Sequence, residues 1–155
     1  MNILIEKGGG RELNSPQSHI MLNKMITWFE IHKKTSFFLL LLTWGTMIYF
    51  SSIPGNKINF GSVWPSIIYH FLIFLVFCFF LYSFLNQKKI NVNLVIFSLA
   101  ICLVLACLDE FYQSFIPFRS SGLFDVLIDF SGASSSMLIG LIVKNNLLKK
   151  SSLKN

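Results

Sequence analysis

Four apolar runs, each about 19 to 23 residues long, divide this chain, and short polar breaks containing Pro, Gly, Asn or Lys separate them. The runs cover residues 35–53, 65–85, 92–111 and 123–143. None alternates polar and apolar residues as a half-buried strand does, and each is about long enough as a helix to cross a hydrocarbon core of roughly 30 Å. In lipid, only helices and closed barrels satisfy their own backbone polar groups. The pattern therefore predicts an all-α fold: a polytopic membrane protein built as a bundle of four transmembrane helices.

The breaks fit this reading. Ser51-Ser52-Ile53-Pro54-Gly55 ends the first run, Pro65 suits the first turn of the second, and Asn86-Gln87-Lys88-Lys89 makes a polar turn. Pro117 closes the connection after the third run, and Ser120 and Ser121 stand where they can cap the fourth. Residues 1–34 read as a loosely ordered polar tail with a short interfacial helix over 21–34 carrying Trp28 and Phe29, and Met21 and Met25 offer alternative starts. Residues 35–143 form the membrane domain, and 144–155 form a basic tail. Lys33 and Lys34 before the first run resemble a signal peptide, but no small-residue cleavage site follows, so the run is read as an anchor.

Composition narrows the class. Hydrophobic residues make up 54% of the chain and charged ones 13%, which excludes an ordinary soluble domain. The net charge of +6 does not point to nucleic acid, because eleven of the thirteen basic residues flank the runs on one side. Only Lys57 and Arg119 fall on the other. The positive-inside rule then places both termini in the cytoplasm. Cys78, Cys102 and Cys107 lie within apolar runs without metal-ligand spacing and read as buried packing residues.

Against this background one stretch stands out. Residues 109–132 hold four of the seven acidic residues and one of the two arginines, between two apolar runs where charge is costly. Helical spacing puts Asp109 and Glu110 on faces shared with Gln113, and puts Asp125 on the same face as Asp129. Arg119 sits between them, within reach of Asp125. Gly132, Ser136 and Gly140 continue the second face as a small-residue stripe for helix packing. His70, about 7 Å into the second run, is placed at the depth of Asp109. Together His70, Asp109, Glu110, Gln113, Arg119, Asp125 and Asp129 make the expected outward-facing polar cluster. No metal-binding pattern is present in the linear sequence, so neither metal nor cofactor is expected.

These residues resemble the VanZ-like family of bacterial membrane proteins. Its members show D-E-x-x-Q at the end of one helix, then P-G-R, then an Asp and an Asn four residues apart, then a Gly. This chain has Asp109-Glu110-Phe111-Tyr112-Gln113, Pro117-Phe118-Arg119, Asp125, Asp129 and Gly132, with Ser51-Ser52-Ile53-Pro54-Gly55 and His70 also matching. It departs at Phe118, where the family has Gly, at Asp129, where it has Asn, and at Ser66-Ile67, where an Asp-Lys pair often stands. The resemblance implies a multi-span protein of the bacterial cytoplasmic membrane, acting in the cell envelope or in low-level resistance to the glycopeptide teicoplanin. Implied partners are the lipid bilayer and an envelope component or lipid-linked precursor. No catalytic residue is assigned. The alternatives are a membrane enzyme using carboxylate and histidine acid-base chemistry and an interaction protein without turnover.

Overall fold

The computed structural model describes residues 16–57, 63–86 and 91–152. Among these, five α-helices and one short 3-10 turn at Gly55–Lys57 account for the regular structure, and there are no strands. The helices are α1 (Pro16–Ile31), α2 (Lys33–Ser51), α3 (Trp64–Leu85), α4 (Val92–Gln113) and α5 (Leu123–Ser152).

Among the described residues, three helices are long and apolar enough to cross a membrane: Trp64–Leu85, Val92–Gln113 and the Leu123–Asn145 part of α5. By length and composition, three of the four expected spans are seen among the described residues. α2 forms, with 19 residues, but Lys33 and Lys34 lie inside the helix and Thr43-Trp44-Gly45-Thr46 dilutes its middle. Residues 16–31, of which 21–31 were expected in a short interfacial helix and the rest in a loose tail, form one helix that packs on α2, α3 and α5. α5 continues past the predicted end at Val143, because Lys144 to Ser152 contains neither Gly nor Pro to stop it.

The chain runs up and down. Lys33 at the start of α2 meets the end of α3, where it donates to the carbonyls of Ser83 (3.1 Å), Phe84 (2.6 Å) and Asn86. At the other end, Tyr69 near the start of α3 packs against Phe50 of α2. The lysine so placed satisfies carbonyls that the last turn of α3 leaves without partners and complements the negative end of its dipole. Asn91 caps α4 by accepting from the amides of Asn93 and Leu94.

The interior is small and mixed in polarity. Phe74, Cys78, Cys102, Ala106 and Ala133 are wholly buried, beside buried Ser36, Ser98 and Thr43. Large apolar residues instead face outward, including Phe38, Leu42, Ile96, Val104, Leu127 and Leu138. A bundle that is apolar on its outside across several helices is built for a lipid environment. Cys107, expected to be buried, is exposed. One residue beyond inward-facing Ala106, it is turned by about 100° off the packed face.

Two close backbone approaches set the helix positions. A Cβ at Gly132 would lie 2.1 Å from the Phe71 carbonyl oxygen, so α5 and α3 approach with no side chain between them. A Cβ at Gly55 would lie 1.7 Å from the Phe118 carbonyl oxygen, and the Gly55 amide donates to the Pro117 carbonyl at 3.1 Å. Here the exit from α2 docks on the α4–α5 connection. Gly140 has no heavy atom within 4 Å of its Cβ direction, and with Ser136 it lines an apolar cavity of about 380 Å³ beside α1.

The docked connection carries strain. Phe118 adopts φ 60° with its side chain exposed. The left-handed region costs a non-glycine residue roughly 1–2 kcal/mol, a cost that glycine does not bear. Phe118→Gly should therefore raise stability by about 0.5 to 1 kcal/mol after the extra freedom of glycine in the unfolded chain is counted. A thermal midpoint in detergent that falls instead would remove strain as the explanation.

Candidate functional site

The upper end of the bundle gathers polar side chains from α2, α3, α4 and α5. His70 projects from the second turn of α3 and is 2% exposed, and Asp129 projects from the second turn of α5 and is fully buried. His70 Nδ1 lies 3.0 Å from Asp129 Oδ1. With Asp129 ionised, Nδ1 carries the proton and donates, leaving Nε2 for another partner. The pairing depends on the Gly132–Phe71 approach, since Phe71 follows His70 and Gly132 lies one turn below Asp129.

α4 supplies the rest from its last turn. Asp109, Glu110 and Gln113 are all buried. Gln113 Nε2 donates to Asp109 Oδ2 at 2.7 Å and toward Ser51 Oγ of α2 at 3.4 Å, while its Oε1 accepts from Arg119 Nε at 3.0 Å. Gln113 thus stands between the guanidinium and the carboxylate, and passes the polarising effect of one to the other. The Gly122 amide donates to Glu110 Oε2 at 2.8 Å. A carboxylate of α4 therefore binds an amide just ahead of α5, the region where Ser120 and Ser121 were expected to act.

The residues read from the sequence separate into two groups. His70, Asp109, Glu110 and Asp129 place one candidate ligand atom each within 4.8 Å of one another. Gln113 and Arg119 adjoin them by hydrogen bonds. Asp125 lies outside that four-group cluster, half-buried in the first turn of α5, and the Arg119 hydrogen bond goes to Gln113. Asp125 sits where the N-terminal dipole of α5 favours an acid. Ser51 joins the site and Ser52 Oγ meets Tyr112 Oη at 3.0 Å, whereas Tyr49 is exposed.

The site is not sealed. A groove of about 330 Å³ between α2 and α4 is lined by Trp44, Met47, Leu105, Leu108, Tyr112 and also Asp109. One acid of the cluster is thereby reached from the apolar flank of the bundle.

A second polar group, absent from the sequence reading, lies at the lower end. Buried Glu30 of α1 accepts through Oε1 from Asn86 Nδ2 at 2.8 Å and forms an ion pair with Lys144 of α5. Its signal was available: Glu30 is the one acid between Glu12 and Asp109, amid the lysines that set topology.

No curated protein and no solved structure matches the chain. A family model described as VanZ/LLP1 matches residues 15–144, from the start of α1 to the lysine that pairs with Glu30. That match takes in every residue of the upper cluster and all three helices able to span a bilayer, and the chain is a membrane protein belonging to the VanZ/LLP1 family.

Proposed function

We propose that the protein acts in the bacterial cell envelope by binding the polar group of a lipid-linked precursor or related envelope molecule at the upper cluster. In this reading α2 also crosses the bilayer, giving four spans with both termini in the cytoplasm. The alternation of α2 to α5 and the eleven basic residues on one side support that topology. The cluster then faces outward, in the leaflet where such precursors are used.

One observation carries the proposal: a buried group of one histidine and three carboxylates has an entrance from the apolar side, through the α2–α4 groove to Asp109. A lipid-borne headgroup can reach such a site laterally with its acyl chains still in the bilayer. Arg119, which engages Gln113 through Nε alone among the described residues, supplies the donors that a phosphate or carboxylate requires. Membership of the VanZ family supports a contribution to low-level teicoplanin resistance through the same site.

The test is a change of phenotype at constant protein level. Asp109→Asn, Asp129→Asn and Arg119→Ala should each abolish the increment in teicoplanin tolerance that the wild-type chain confers on a deletion strain. Tolerance retained by all three, at normal membrane abundance, overturns the reading. A second reading, acid-base catalysis on the same headgroup, draws on the His70–Asp129 pair. Turnover of a lipid-linked substrate by purified protein, lost in His70→Gln, would favour it over binding alone.

A further inference from the structure

We propose that His70, Asp109, Glu110 and Asp129 form a divalent-cation site. This deepens the reading of the upper cluster and rests on it for what the ion does, though not for whether an ion binds.

The argument begins with the carboxylate oxygens. In Asp109 and Glu110 one oxygen is held from outside the cluster, Oδ2 by Gln113 and Oε2 by the Gly122 amide, while Asp129 Oδ1 meets His70 Nδ1, the contact that an ion shared by these two residues would replace. The second oxygen of each makes no hydrogen bond among the described residues. For Glu110 Oε1 and Asp129 Oδ2 this occurs in full burial, in side chains 94% and 100% removed from solvent. Glu30 Oε2, Tyr82, Ser83 and Ser98 also carry unpartnered buried atoms, but singly, whereas these two lie on acids that converge with Asp109 and His70, and two in one such cluster point to a bound species. Metal-ligating carboxylates show this division, one oxygen oriented by a neighbour and the other on the ion.

Charge leads to the same place. Three carboxylates share a small volume, and the Arg119 contact goes to Gln113 instead of to any of them. Three buried negative charges without a cation are strongly unfavourable, so the cluster either takes up protons or holds a cation. The donor set decides which cation fits. One imidazole with three carboxylates suits a first-row ion such as Zn²⁺ or Mn²⁺ better than Ca²⁺, which takes oxygen ligands alone, and no thiolate is present to select a softer metal.

Size is compatible. Given bonds of about 2.1–2.2 Å, ligand atoms stand about 3.4–3.6 Å apart around a tetrahedral ion and about 4.2–4.4 Å apart across an octahedral one. The candidate atoms lie within 4.8 Å of one another, so an ion would draw them in by about an ångström. Asp109 faces the α2–α4 groove, so any open coordination position on that side would take an oxygen of a phosphate or carboxylate arriving from the bilayer.

Direct binding measurements test this. The full chain, purified in detergent without a polyhistidine tag and stripped with chelator, should take up about one Zn²⁺ or Mn²⁺ per molecule in equilibrium dialysis with elemental analysis. Asp129→Asn and Glu110→Gln should weaken uptake by at least about tenfold, whereas Asp125→Asn should retain it. Uptake that is substoichiometric, or that none of these substitutions changes, overturns the site and leaves the cluster as protonated carboxyls. If a variant does not elute as folded protein, the wild-type Co²⁺ spectrum decides. Absorption bands moved from those of the aqueous ion support a histidine-carboxylate site, and unmoved bands overturn it. Because none of these readouts uses an envelope ligand, failure of the teicoplanin phenotype and failure of the metal site remain separable results.

Discussion

Gly132→Ala is expected to destabilise the bundle by about 3 kcal/mol and to disable the upper cluster in the same step. The added methyl would stand 2.1 Å from the Phe71 carbonyl oxygen and 3.0 Å from its carbonyl carbon. Both are backbone atoms of α3, so no flexible side chain can move aside. α3 and α5 must separate or slide, and either motion carries His70 away from Asp129, now at 3.0 Å. The substitution should therefore lower the thermal midpoint in detergent and also abolish whatever the cluster binds. Gly140→Ala is the companion measurement. Its Cβ meets nothing within 4 Å, so it should be close to neutral. Equal losses from the two glycines would show that close approach at Gly132 is not what sets the helices.

Removing Glu30 is expected to have a comparable effect at the opposite end. Glu30→Ala leaves the Lys144 ammonium, 11% exposed, and the Asn86 amide without the carboxylate that now joins them. Breaking one side of a buried ion pair costs about 3–5 kcal/mol, because the remaining charge is desolvated and unpaired. The double variant Glu30→Leu with Lys144→Met should recover most of that loss, since an apolar pair of similar volume carries no such penalty. Unfolding measured for the singles and the double gives the coupling directly. If the single change matches wild type within about 0.5 kcal/mol, Lys144 has found water and the pair does not anchor α1.

Much of the upper site was legible beforehand, for a reason specific to this composition. Charged residues are so costly in an apolar chain that Asp109, Glu110, Asp129 and His70 identified themselves by their surroundings. Helical spacing then paired Asp109 with Gln113, and the hydrogen bond between them follows. Partners across helices were less legible. Arg119 was expected to reach Asp125, six residues away, yet it bonds to Gln113, also six residues away in the other direction. Sequence separation is the same in both cases. The turn at Phe118, with its positive φ, precedes the arginine and orients the connection toward α4. The packing of α1 into the bundle was missed because its mixed polarity reads as an interfacial helix in a tail until something is found to bury Glu30.

By itself, the sequence determined that the chain is helical and membrane-bound, where its charges cluster, and to which family it is similar. These follow from composition and period, because lipid admits few ways to satisfy a backbone and few places for a charge. Only the tertiary structure decided that His70, Asp109, Glu110 and Asp129 converge, that Asp125 stands apart, and that Glu30 ties α1 to α5. Convergence depends on the rotation and height of each helix against its neighbours. Those are set at points where backbones touch, Gly132 on Phe71 and Gly55 on Phe118, and no periodicity along a single helix encodes its contact with another.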